Sequence, residues 1–336
     1  MNTTNFLSSW IKRFLLEYLI SVRNLSRNTQ HSYRDTFKLM LPFLSDHTKK
    51  SIDRLKIDDI TPEIIKEFLL NLESQRKCSV ATRNQRLAAI HAFAYFIGLN
   101  CPEYVEWCRQ LRMIPFKKSK PTLITYLDKP EMDALLTAPD QAFSQGRRDY
   151  ALLLFLYNTG ARADEVAQLI ISDLDVAHAQ KRDISIVTIR GKGNKLRRCP
   201  LWQKTVSALQ EFIVARDASE HVFMNRCSQP LTRFGIHSMV KRYAQKVLPK
   251  FHSIKQKRVS PHTIRHTTAT HLLQAGVDIN TIRAWLGHVS INTTNIYAEI
   301  DLEMKSKALA CCEIPNDPVK KHWRDDQDLM KFLNSI

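Results

Sequence analysis

The sequence predicts a mainly α-helical protein of two domains, with one small antiparallel β-sheet in the second. Apolar residues recur at helical spacing through most of the first hundred residues, and a proline-bounded basic stretch follows them. Further on, two runs rich in Ile, Val and Thr flank Gly191-Lys-Gly-Asn194. The first pattern has the 3.6-residue period of amphipathic helices, and the last is a hairpin signal whose exact turn is left open. Residues 1–114 are read as a helical domain, 115–125 as a linker and 126–336 as the second domain.

The first helix is expected over Phe6–Val22, where Phe6, Trp10, Phe14, Leu15, Tyr18 and Leu19 form an apolar stripe. A second is expected over Thr29–Leu44 through Tyr33, Phe37, Met40, Leu41 and Leu44. Thr61-Pro62-Glu63 is a helix start: a capping hydroxyl, a proline at the first helical position and an acid in the first turn. That helix runs to about Glu73. Ser79 caps a fourth through Ile97, with Gly98 as its expected stop. Four helices make a small bundle. Pro115-Phe-Lys-Lys-Ser-Lys-Pro121 cannot pack as a helix and reads as an extended tether.

In the second domain Asp128 caps a helix through Leu136, and Arg147–Asn158 is apolar enough to lie at the centre of the core. Gly160 then breaks the chain just before Arg162. Strands are expected over Ile184–Arg190 and Leu196–Leu201. Helices return at Trp202–Arg216, Arg233–Val247, His262–Gln274 and Ile279–Leu286. Repeats and low-complexity tracts are not seen.

Charge narrows the function. The chain carries 50 Lys and Arg against 33 Asp and Glu, a net charge of +17. The first 120 residues hold 20 basic and 11 acidic side chains, leaving 30 and 22 for the rest, so both halves are basic. A shared excess suits a clamp on a polyanion, where each neutralised phosphate releases counterions. No window approaches 18 uninterrupted apolar residues, so a membrane span is not expected. The apolar stretch Phe14–Ile20 is interrupted by Glu17 and lacks a small-residue cleavage site after it, unlike a signal peptide. Seven scattered cysteines suggest reduced thiols and a cytoplasmic location.

Five stretches of the second domain carry chemistry: Gly160-Ala-Arg162-Ala-Asp-Glu165, Gly191-Lys192-Gly193, His262-Thr-Ile-Arg265-His266, Leu286-Gly-His288 and Thr294-Asn-Ile-Tyr297. In this order they resemble the tyrosine recombinase (phage integrase) family, with Xer-like and transposon-integrase-like features. The resemblance extends through Gly193-Asn-Lys-Leu-Arg-Arg-Cys-Pro200, His266-Thr-Thr-Ala-Thr-His-Leu-Leu and Gly276-Val-Asp-Ile. A looser likeness to the family's N-terminal core-binding, SAM-like domain lies in Leu25-Ser-Arg-Asn-Thr and Ala81-Thr-Arg-Asn-Gln-Arg-Leu.

The resemblance implies a site-specific recombinase that cuts and rejoins double-stranded DNA at core sites. Strand exchange would pass through a Holliday junction and a tetramer on paired sites, with no metal or other cofactor. Integration, transposition and dimer resolution would share this chemistry. Tyr297 becomes the nucleophile, with Arg162, Arg265 and His288 holding the phosphate and His262 as general base, or at least orienting the attack. Lys192 would protonate the departing 5′ oxygen. Lys195 is an alternative for that lysine, since Ala177–Asp183 looks like a polar extension ahead of the hairpin, but Gly-Lys-Gly favours Lys192. Glu165 is read as holding an arginine or the lysine loop rather than moving protons. Arg27, Asn28, Arg34, Arg83, Arg86, Lys117 and Lys118 are candidate DNA contacts.

The chemistry explains the residue types. Guanidinium groups stay charged and match two phosphate oxygens in a fork. A phenol with a reference pKa near 10 needs help to lose its proton at pH 7. A covalent phosphotyrosyl link would store the bond energy, so rejoining needs no ATP. A zinc hydrolase is disfavoured because Thr263 stands where Glu would follow the first His of a zinc-protease helix. A DNA-binding regulator without catalysis would leave the Tyr297 constellation unexplained. A type IB topoisomerase would share the chemistry. An amphipathic tail segment with Trp323, Leu329, Met330, Phe332 and Leu333 suits docking on a neighbouring subunit or on its own domain.

Overall fold

Hydroxyl side chains start the helices of the N-terminal unit. In the computed structural model, which describes residues 6–118, 124–176, 184–191, 193–287, 331 and 333–335, Ser26 caps α2 (Arg27–Thr48), Thr61 caps α3 (Pro62–Ser74) and Ser79 caps α4 (Val80–Asn100). Each hydroxyl oxygen accepts from the backbone N–H three residues on, satisfying a donor that has no partner inside the helix. Ahead of them α1 (Leu7–Arg13) widens into a π-helical stretch over Phe14–Val22. The chain divides into two compact units, Met1–Thr122 and Leu123–Ile336.

Two expectations for the first unit are corrected. Gly98 does not stop α4, which runs to Asn100; a Cβ at Gly98 would come within 3.1 Å of the Cys108 Cβ, so the missing side chain is where another helix packs. That helix is α5 (Val105–Arg112), which the sequence reading omitted. It is anchored by Trp107, whose Nε1 donates to the Ile60 carbonyl at 2.7 Å. The unit closes around Phe14, whose ring is 5.3–6.0 Å from those of Tyr18, Tyr33, Phe37, Phe93 and Phe96. Offset and edge-on contacts of this kind add to the burial energy of aromatic side chains.

The second unit is wound around α7 (Ser144–Thr159), in which every residue from Ala151 to Thr159 is buried. Helix α6 (Lys129–Thr137) precedes it, starting at Asp128, whose N–H donates to the Glu131 carboxylate. Three pieces go beyond the sequence reading: a five-residue helix α8 (Ala163–Ala167), a two-residue strand β1 (Leu174–Asp175) and a four-residue helix at Ser253–Gln256. Strand β1 pairs antiparallel with β2 (Ser185–Arg190), which pairs antiparallel with β3 (Leu196–Leu201) in the register Arg190 to Leu196 and Ser185 to Leu201. Helices α9 (Gln203–Ile213), α10 (Arg233–Val247), α11 (Ser253–Gln256), α12 (Pro261–Gln274) and α13 (Ile279–Leu286) complete the unit. A mainly helical fold with one small antiparallel sheet is thus what the chain adopts.

Candidate active site

Two chain turns and the start of a helix bring Arg162, Glu165, His262 and Arg265 of the second unit together. At the first, α7 ends on Gly160 in the left-handed region (φ +59°), and a Cβ there would sit 2.5 Å from Leu286 Cδ2. Glycine therefore fits on two counts, conformation and close approach. Two residues later Arg162 takes the N-cap position of α8, which turns its side chain out of the core to 33% exposure.

Helix α12 supplies the second group. Ser260 caps it and Pro261 opens it. His262 stands in the first turn at the surface, and Arg265, three residues on, is 4% exposed. Arg265 Nη1 donates to the Gly160 carbonyl and Nη2 to the Leu286 carbonyl, each at 2.6 Å. One guanidinium thus fastens the turn that leads to Arg162 and the end of α13. The second turn is that end: α13 stops on Gly287, left-handed at φ +65°. Its neighbour His288, with Tyr297 and Lys192, lies outside the described residues, as does the tail segment apart from Leu333.

Glu165 is buried and paired with Arg162. Its Oε1 accepts from Arg162 Nη1 at 2.7 Å, and its Oε2 from the Arg162 backbone N–H at 2.9 Å. Oε2 also accepts from Arg197 Nη2 at 2.6 Å. Burial works against the carboxylate charge, but the hydrogen bond and charge of Arg197, with the bonds from Arg162, hold its pKa below the usual range. Glu165 stays ionised at neutral pH and cannot act as an acid there.

Protein atoms crowd the His262 ring despite its exposed edge, and this partial desolvation lowers its pKa. His237, at 6.2 Å between ring centroids, and the positive charges of Arg265 and Arg162 lower it further, while Glu165 opposes them weakly. His262 is therefore neutral and able to accept a proton at pH 7. Burial, His262 and Arg265 likewise push the pKa of His266 down to about 4. With His262 as the base, the acid limb of kcat/KM is expected below pH 6.5, because lowering the pH through a depressed pKa protonates the base. A pH–rate profile whose acid limb survives unchanged in His262→Gln would remove His262 from that role.

Two neighbours of the site escaped the sequence reading. His237 sits on α10 far away in the chain, and nothing local marks it. Arg197 lies within a quoted stretch but was given no role. The strand alternation that puts it on the same face as Cys199 and Leu201, both buried, was the available signal.

The candidate DNA contacts fall in the first unit. Arg27, Asn28, Arg34 and Lys118 are exposed, with Arg34 paired to neighbouring Asp35. Arg86 Nη1 crosses from α4 to the Ser32 carbonyl and Thr36 hydroxyl of α2, setting the two candidate stretches side by side. Arg83 is 6% exposed, and its Nη1 donates to the Pro115 carbonyl and to Asn84. Lys117 pairs with Glu73 at 2.6 Å. Residues 115–118 of the linker are non-helical and tied to α4 through Arg83 and Asn84.

No helix among the described residues is long and apolar enough to cross a membrane, and no group of three or more metal-ligating side chains occurs among them.

Comparison with known proteins agrees along the whole chain. Residues 125–304 match the Phage integrase family, and residues 11–97 match its N-terminal SAM-like domain. The putative integrase/recombinase y4rC of Sinorhizobium fredii is 36% identical over 98% of both chains. Tyrosine recombinase XerD of Halalkalibacterium halodurans is 30% identical, covering 83% of this chain and 89% of its own. Among solved structures, the XerH site-specific recombinase bound to palindromic difH substrate superposes with a TM-score of 0.66 at 20% identity, covering 90% of this chain and 94% of that one. The Tn1549 transposon integrase in complex with circular intermediate DNA gives 0.65 at 20% identity, covering 90% and 98%. The likeness to these two structures is one of fold, and the sequence relatives supply the rest. The chain belongs to the phage integrase family and is a tyrosine-type site-specific recombinase.

Proposed function

We propose that this recombinase cuts and rejoins double-stranded DNA at specific core sites through a 3′-phosphotyrosyl link on Tyr297. Arg162, Arg265 and His288 bind the scissile phosphate. The Tyr297 oxygen attacks phosphorus as its proton passes to His262, the bond from phosphorus to the 5′ oxygen breaks, and Lys192 protonates that oxygen. Reversal with the 5′ hydroxyl of another strand rejoins the DNA. Two such rounds through a Holliday junction exchange both strands, in a tetramer on paired sites in the cytoplasm.

The carrying observation is the Arg265 guanidinium, which ties the turn before Arg162 to the helix end before His288. Donors preorganised in this way stabilise charge as it develops on the phosphate oxygens. In the first unit Arg27, Asn28, Arg34 and Lys118 serve as backbone contacts. Arg83 and Arg86 on α4 and Lys117 in the linker are engaged in bonds within the unit. The DNA-bound state of XerH and of the transposon integrase supports the same partner here.

The test is a library of nicked random-sequence duplexes, in which a short leaving strand diffuses away and traps the cleaved state. Wild-type protein is expected to yield a covalent DNA adduct whose modified peptide spans Tyr297. The trapped DNAs would share one core sequence. Absence of any adduct across the library, with DNA binding intact, would sink the proposal in favour of a non-covalent binder.

A further inference from the structure

Arg197 has no part in the mechanism above, yet its side chain is only 8% exposed and lies against that site. Its Nη2 forms the 2.6 Å pair with Glu165. The same side chain runs past two glycines. A Cβ at Gly287 would come within 3.1 Å of its Cδ and 3.4 Å of its Nη1, and one at Gly191 within 3.5 Å of its Nη1. These glycines directly precede His288 and Lys192. Its Nε is buried with no hydrogen-bond partner among the described residues.

The balance of charge gives this position its meaning. Glu165 contributes one negative charge to a buried cluster, and Arg162 and Arg197 one positive charge each. With Arg197 present, the carboxylate is neutralised from the side of the sheet. Without it, Arg162 would be the only guanidinium among the described residues bonded to the Glu165 carboxylate. Low local dielectric makes that attraction strong, and an uncompensated buried carboxylate is costly. Arg162 would then be held to Glu165 and its charge cancelled before a phosphate arrived. An Arg–Glu pair at Arg162 alone would position a side chain but leave it electrostatically silent.

We propose that Arg197 is a positioning residue that neutralises Glu165, so that the charge of Arg162 remains available to the scissile phosphate. The assignment rests on the recombinase reading above. It differs from a packing role in one respect. If Arg197 only fills space, removing the Glu165 charge cannot repair its loss. If it balances charge, that second change restores what the first one took away.

The experiment is a double-mutant cycle of Arg197→Met, Glu165→Gln and the pair, with Arg197→Lys as the conservative variant, read in two ways. On the trapped substrate, Arg197→Met is expected to slow adduct formation at saturating DNA on the order of 10- to 100-fold, the span of coupling between contacting groups. The double variant should recover most of that rate, and Arg197→Lys part of it. In thermal unfolding without DNA, Arg197→Met should lower Tm, and adding Glu165→Gln should raise it again. A double variant no faster than Arg197→Met overturns the proposal. So does additivity in the unfolding cycle, including for an Arg197→Met protein that folds poorly. Should the wild-type protein form no adduct, the recombination mechanism fails on its own account, and the unfolding cycle still decides the charge pairing.

Discussion

Arg265→Ala is expected to stop strand cleavage and to destabilise the second unit in the same stroke. The two carbonyls it serves, of Gly160 and Leu286, belong to different turns and meet at one buried guanidinium. Truncation leaves both acceptors without that partner, at about 1–3 kcal/mol each. A total of roughly 2–6 kcal/mol is a large share of the 5–15 kcal/mol that holds a domain folded. Loss of a preorganised donor to the phosphate would add about 10²–10³ in rate, and displacement of the Gly160 turn would carry Arg162 with it. Arg265→Lys separates the two effects. A lysine keeps the charge but cannot fork to two carbonyls, so Tm should recover in part while adduct formation stays more than about tenfold slow. Measured Tm and single-turnover trapping rates check this. Wild-type melting together with near-wild-type trapping in Arg265→Ala would contradict it.

How much of this was legible in the chain depends on where the determining interaction lies. Helices α3 and α4 begin where the sequence says because their caps, Thr61 and Ser79, bond within three residues of themselves. Gly98 misled because a glycine ends a helix only when the backbone turns left-handed, and here it stays helical to admit Cys108. Helix α5 is short and held from outside by the Trp107 bond to Ile60, a contact across 47 residues. Strand β1 is two residues that exist only because β2 is beside them. The site follows the same rule. Arg162, Glu165, His262 and Arg265 are marked as candidates by the order of motifs that resembles the family. The partner of Glu165 is not: strand alternation puts Arg197 on the face of buried Cys199, but the carboxylate it meets lies 32 residues earlier in the chain.

Tyr297→Phe is expected to remove covalent trapping while leaving DNA affinity nearly unchanged. The substitution deletes one oxygen and keeps the ring, so packing and the basic surface persist. The arginines could still bind and polarise the phosphate, but nothing would attack it except water. Knockouts of a covalent nucleophile in other enzymes cost up to about 10⁶ in rate, and at least about 10⁴ is expected here. Rejoining should be lost in parallel, because no phosphotyrosyl ester would exist to store the bond energy. The other eight tyrosines make poor substitutes. Burial pushes the Tyr157 phenol up and its hydroxyl is bonded to His271 Nδ1, while burial and Asp149 do the same for Tyr243. Tyr18, Tyr33, Tyr95 and Tyr104 belong to the first unit, whereas Arg162 and Arg265 belong to the second. Tyr150 and Tyr126 remain, and their rings lie beside Lys204 and Lys257 respectively rather than beside the two arginines. Tyr126→Phe therefore serves as the control and should trap DNA at the wild-type rate. Persistent trapping in Tyr297→Phe would transfer the nucleophile to another hydroxyl, and the modified peptide would name it.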